Sequence, residues 1–296
     1  MHSSISSLIT SEPEAPFLRA CRGLPTPHTP VWFMRQAGRY MAEYRAIREK
    51  YSLLEICYQP ELAAEVTMHP VRALGVDAAI LFADILLPVI PLGRGLEFAQ
   101  GEGPVIGKPV RTMEDILALH PVDAETDLAY VMQAIRILRG ELQGTPLIGF
   151  CGAPFTVASY LIEGGSSREF LKTKTMMYSA PEVWHALMEK LSVLLAEYLS
   201  AQIRAGAQAV RVFDSWVGTI SPQDYERFVL PYSRRVLQTA QALGVPAIHF
   251  GTNTATLLPL MKRAGGDVIG LDWRVPLDDG WRLLGDEVPV QANLDP

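Results

Sequence analysis

At 296 residues, with 49% hydrophobic and 20% charged residues, the chain has the make-up of an ordinary globular protein with ample apolar material for a core. A formal charge of −6 and the lack of a basic stripe argue against nucleic acid as the main partner. No apolar run approaches the ~20 residues a bilayer-spanning helix needs, and Cys21, Cys57 and Cys151, without a CxxC pair, suit a reducing cytoplasm better than a disulfide framework.

Residues 1–16 read as a loose tail, Ser-rich with Glu12 and Glu14 and without the basic and apolar regions of a signal peptide. Residues 17–296 show no break in composition and are read as one domain. The first apolar run, 31–34, predicts a buried strand. It delivers Arg35 and Arg39 to one place, and paired guanidiniums match carboxylates or phosphates in two-point contact. On an acidic chain, that pair points to local capture of a polyanionic small molecule.

Residues 60–74 read as a helix with a break at Pro70. The strand predicted at 78–82 leads to Asp84, a carboxylate in apolar sequence that needs a partner against desolvation: Arg35, Arg39 or a substrate N–H. Residues 86–110 form a long Gly- and Pro-rich connection, predicting a hairpin rim over the site. A helix follows over 123–139, then a strand at 146–150, and 149–156 is a small-residue turn that a ligand can approach. Beyond it stands Tyr160, with a hydroxyl to offer an acid.

The apolar stripe of residues 181–205 predicts a long helix, and 209–213 predicts a strand ending at Asp214 and Ser215. Ser215 has no nucleophile elbow and reads as a hydrogen-bonding hydroxyl. Helices at 223–243 and 255–264 alternate with strands at 246–250, 267–271 and 288–291. Seven largely apolar strand candidates between helices favour a parallel α/β barrel over an open sheet, with polar residues clustered at the carboxyl-end rim. None of the six lysines falls at a strand end, as a Schiff base would need, and His249 has no neighbouring thiolate or carboxylate to complete a metal site.

Several segments together resemble the uroporphyrinogen decarboxylase family: Met34-Arg35-Gln36-Ala37-Gly38-Arg39-Tyr40, Leu81-Phe82-Ala83-Asp84-Ile85-Leu86, Gly149-Phe150-Cys151-Gly152-Ala153-Pro154-Phe155-Thr156, Phe213-Asp214-Ser215-Trp216 and Asn293-Leu294-Asp295-Pro296. The resemblance implies a cytoplasmic, cofactor-independent TIM barrel, a homodimer, that removes CO2 from the four acetate side chains of uroporphyrinogen III to give coproporphyrinogen III. It implies a substrate-binding set of Arg35, Gln36, Ala37, Gly38, Arg39, Asp84, Tyr160 and Ser215. Asp84 and Arg35 are the implied catalytic pair, with Asp84 accepting from the pyrrole N–H groups. No metal is implied.

The family continues beyond Asn-Leu-Asp-Pro through an eighth strand and a loop with a substrate-binding histidine. The expectation is therefore a TIM (β/α)8-type barrel lacking its last strand–helix unit. Two alternatives accompany it. One is a zinc-dependent corrinoid or coenzyme M methyltransferase, whose His-x-Cys site His249-Phe250-Gly251 does not match. The other is a truncated form that binds porphyrinogens without turnover.

Overall fold

The computed structural model describes residues 14–34, 36–38, 40–99 and 103–292. Among them run β1 (Ala79–Ile80), β2 (Leu96–Ala99), β3 (Gly103–Ile106), β4 (Leu147–Gly152), β5 (Ala209–Asp214), β6 (Ala247–Gly251), β7 (Val268–Gly270) and β8 (Val290–Gln291). Six of these form one parallel sheet in the order β1-β4-β5-β6-β7-β8, curled into a half-barrel. Every residue of β4, β5 and β6 is buried, as parallel strands covered on both faces must be.

The helix Pro181–Ala205 packs its stripe of Trp184, Leu187, Leu191, Leu195 and Leu199 against this sheet and the helix Leu230–Ala242. Gln202 on the long helix clamps the edge of β4. Its Nε2 donates to the Phe150 carbonyl at 2.8 Å and its Oε1 accepts the Phe150 N–H at 2.9 Å, all buried. Only glycine fits beside that clamp, because a Cβ on Gly149 would lie 2.5 Å from Gln202 Oε1.

Six of the seven anticipated strands are present, and 31–34 is not one. The segment is irregular, with Val31, Phe33 and Met34 more than 40% exposed. Its tie to the barrel runs through Asp77, whose N–H donates to the Val31 carbonyl and whose Oδ2 accepts the Val31 N–H. Two bonds at one residue do not make a ladder.

Pro70 also does not break its helix, which runs unbroken from Pro60 to Leu74. The ~3 kcal/mol that an internal proline costs is offset by burial of Ala63, Ala64, Val66, Met68 and Pro70, which pack against more than one neighbouring cluster. The anticipated 223–243 helix contains a π-helical turn at Tyr225–Val229, and the helix anticipated over 255–264 begins at Leu258.

The 86–110 connection holds a 3-10 helix, Leu87–Leu92, and the antiparallel β2–β3 hairpin. The hairpin leans on the end of the helix Pro154–Glu163, with Ile106 N–H donating to the Gly164 carbonyl. Its described residues do not line the cavity beside Asp84, and residues 100–102, between its two strands, lie outside the described residues.

Candidate active site

Beyond β1 the chain turns at residues 81–86. The Leu81 N–H extends the pairing to the Ile148 carbonyl, and the Phe82 N–H is caught by the buried Thr67 hydroxyl at 2.9 Å. Asp84 then accepts the Leu86 N–H on Oδ1 at 2.8 Å, the local turn that aspartate side chains favour. These ties hold Asp84 in the wall of a cavity of about 710 Å³.

The cavity lies at the carboxyl ends of β1, β4 and β5. Phe150 and Phe213 line it, their rings edge to face at 5.4 Å, and Ser215 follows directly after β5. Burial pushes the Asp84 carboxyl up to about 6, and the Leu86 N–H pulls the other way. Among the described residues no cation pairs with that carboxylate.

Gln36, Ala37 and Gly38 line the same cavity. Gln36 is itself buried and donates from Nε2 to the Ala78 carbonyl at 2.8 Å, so its side chain ties the 36–38 segment to the lead-in of β1. Gly38 accepts the Met41 N–H, closing the turn into the helix Ala42–Arg48. Arg35 and Arg39 lie outside the described residues.

Arg48 also lines the cavity, with Nη1 donating to the Tyr51 carbonyl at 2.8 Å. Sequence reasoning missed it. No spacing marked it, because nothing local shows that the end of that helix turns inward.

Ser215 lies in the cavity wall, its carbonyl accepting the Thr252 hydroxyl. Tyr160 does not line this cavity. Its ring lies against Trp216, 3.8 Å between centroids and 31° between planes. Burial, and secondarily the Asp84 charge, push its phenol up to about 12, so it stays a hydrogen-bond donor at working pH.

His249 is fully buried inside β6, and burial pushes its imidazole down to about 4. Among the described residues no group of three or more His, Cys, Asp and Glu side chains is arranged to hold a metal ion. What this arrangement offers chemically is a cavity with aromatic walls in which a polar group of a ligand can meet an ionisable carboxylate.

The family model described as uroporphyrinogen decarboxylase (URO-D) matches residues 12–296. The chain is 60% identical over 281 residues to the uroporphyrinogen decarboxylase of Carboxydothermus hydrogenoformans, covering 95% of this chain and 80% of the relative. The uroporphyrinogen decarboxylase of Sorangium cellulosum matches with the same identity and coverage. Among solved structures, a methyltransferase from Methanosarcina mazei superposes with a TM-score of 0.77 at 18% identity, covering 93% of this chain and 80% of its own. That likeness shows the fold alone.

Proposed function

The chain belongs to the uroporphyrinogen decarboxylase family, and from that premise we propose that the cavity beside Asp84 is where its reaction takes place. The activity is decarboxylation of uroporphyrinogen in porphyrin biosynthesis, a carboxy-lyase reaction. The observation that carries the assignment of the cavity is Asp84. It is a carboxylate in an aromatic-walled cavity with no cationic partner among the described residues, and its pKa is raised by burial to about 6.

Loss of CO2 from an acetate side chain leaves an electron pair that needs a sink. A pyrrole protonated on the ring carbon beside the one that bears the acetate becomes a cationic ring and accepts that pair. The exocyclic carbon then takes a proton and becomes a methyl group, and the ring sheds the proton it first gained, which restores the neutral pyrrole. The substrate supplies its own sink, so the reaction as written draws on no cofactor.

Asp84 accepts the pyrrole N–H groups and stabilises the cationic ring as it forms. A carboxylate already held in place by the Leu86 N–H is effective here, because little reorganisation is needed as the charge develops. Arg35 and Arg39 grip substrate carboxylates, with Arg35 beside the reacting acid as the second catalytic residue. The Gln36–Gly38 backbone, Ser215 and Tyr160 complete the binding set. All four acetates, giving coproporphyrinogen III, a TIM-type barrel, a homodimer and a cytoplasmic setting belong to the same reading and rest on the resemblance.

The test is anaerobic incubation with reduced uroporphyrinogen and chromatography for products with seven to four carboxyls, alongside Asp84→Asn. Stepwise products from the wild type and none from the variant support the reading. Full turnover by Asp84→Asn would sink the role given to Asp84.

A further inference from the structure

Asp214 ends β5, one residue before Ser215, and its carboxyl is fully buried. Oδ1 accepts the Thr156 hydroxyl at 2.9 Å, and Thr156 Oγ1 in turn accepts the Trp216 N–H at 3.3 Å. The Trp216 ring stacks on Tyr160 and also meets Phe170 at 4.9 Å. An unbroken chain of contacts therefore links Asp214 to both hydroxyl-bearing residues of the binding set.

Thr156 is the third residue of the helix Pro154–Glu163, whose N-cap position is Ala153 with no side-chain cap. An uncapped helix start leaves N–H groups without partners. Asp214 reaches across from the adjacent strand to this start, and both the backbone and hydroxyl of Thr156 bond to it. The strand end, the helix start and the 215–216 turn are thus fastened at one carboxyl.

The other oxygen, Oδ2, has no hydrogen-bond partner, although the fold buries it completely. Tyr225 begins the π-helical turn, and its phenol senses the Asp214 charge. Such turns re-aim side chains and occur often at functional sites. A fully buried carboxylate oxygen left without a partner is more than a helix cap alone requires.

We infer that Asp214 is a positioning residue which, acting through Thr156, fixes the Ser215–Trp216 turn and the Tyr160 ring and so sets the hydroxyl side of the substrate cavity. This rests on the reading of the cavity given above. Burial pushes the Asp214 carboxyl up to about 7, so its neutral form is well populated near neutrality, and asparagine imitates that form.

The experiment compares Thr156→Val, Thr156→Ser, Asp214→Ala and Asp214→Asn by steady-state decarboxylation, and by tryptophan emission read as the difference from Trp216→Phe. Ser215 and Tyr160 hold acid groups away from the reacting carbon, so their loss of position acts on affinity. Thr156→Val raises KM about tenfold with little change in kcat, the size of one lost buried hydrogen bond, and shifts the Trp216 emission. Thr156→Ser recovers the affinity lost in Thr156→Val, and Asp214→Asn recovers that lost in Asp214→Ala.

Thr156→Val keeps the buried volume, so the test stands even where Asp214→Ala fails to fold. An unchanged KM in Thr156→Val overturns the inference, whether or not the emission moves. So does failure of both conservative variants to restore affinity. A wild type without turnover removes the cavity reading instead, and the emission difference then decides the inference alone: no shift in Thr156→Val overturns it.

Discussion

Asp84 accepts the Leu86 N–H at 2.8 Å, and that single bond is what sets burial against ionisation at the centre of the cavity. Burial outweighs it and leaves the carboxyl at about 6. Stabilising a cationic ring requires the ionised form. The kcat/KM for decarboxylation is therefore expected to fall as pH drops through about 6, the value of the free enzyme. In kcat the same limb moves to lower pH, since a bound pyrrolic N–H favours the carboxylate. A profile of both parameters between pH 5 and 8 checks this, with one limb common to the two as the contrary result.

The raised pKa also makes Asp84 a stability liability. The folded chain holds this proton up to about 6, while the unfolded chain releases it near 3.8, so stability falls as pH rises through that window. The difference of roughly two units corresponds to at most about 3 kcal/mol. Asp84→Asn is expected to raise Tm at pH 7.5 by several degrees, at roughly 2–4 °C per kcal/mol, while cutting turnover about a hundredfold or more. Paired thermal melts near pH 4 and pH 7.5 test the sign, because the gain disappears on the acid side.

Tyr160 combines a stacked ring with a hydroxyl, and the two are separable. Tyr160→Phe keeps the contact with Trp216 and removes only the donor, so KM rises about tenfold with Tm unchanged. Trp216→Ala loses the stack itself and lowers both affinity and Tm. Equal KM values for Tyr160→Phe and wild type would remove the hydroxyl from the binding set.

Arg48 is a cation in the cavity wall, and the ligand proposed for that cavity carries many carboxylates. Arg48→Met is expected to raise KM about tenfold and to weaken its dependence on salt, since exposed charge pairs are screened at a Debye length of about 8 Å in physiological salt. Measuring KM at 50 and 300 mM salt for both proteins tests it.

Gly149→Ala addresses the scaffold beneath the site. A Cβ there displaces Gln202 from Phe150 and strands two buried backbone groups, at a cost of roughly 2–4 kcal/mol. Urea unfolding followed by circular dichroism reads the loss, and an unchanged midpoint would mean that the clamp does not carry the strand.

The parallel strands and the long helix were legible because their signals are local. A strand buried on both faces must be continuously apolar, and 146–150, 209–213 and 246–250 are. A stripe with helical spacing, bounded by Pro181 and Gly206, marks the helix Pro181–Ala205 by itself. Asp84 was legible for the same reason, as a carboxylate that apolar neighbours on both sides carry into the interior.

The segment 31–34 has the composition of a strand, but among the described residues it forms no strand ladder, and pairing is a property of the partner as much as of the run. Pro70 stays helical because distant side chains pack its face. Arg48 in the cavity wall, Gln202 on the peptide of Phe150, 52 positions away, and Asp214 on Thr156, 58 positions away, could not be read from spacing. Sequence alone thus determined which residues can be buried, which backbone is apolar enough for the sheet, and that an ionisable carboxylate stands at the end of its first strand. Tertiary structure decided which polar groups meet, because burial is written in each short segment while a hydrogen bond needs two segments brought together by the fold.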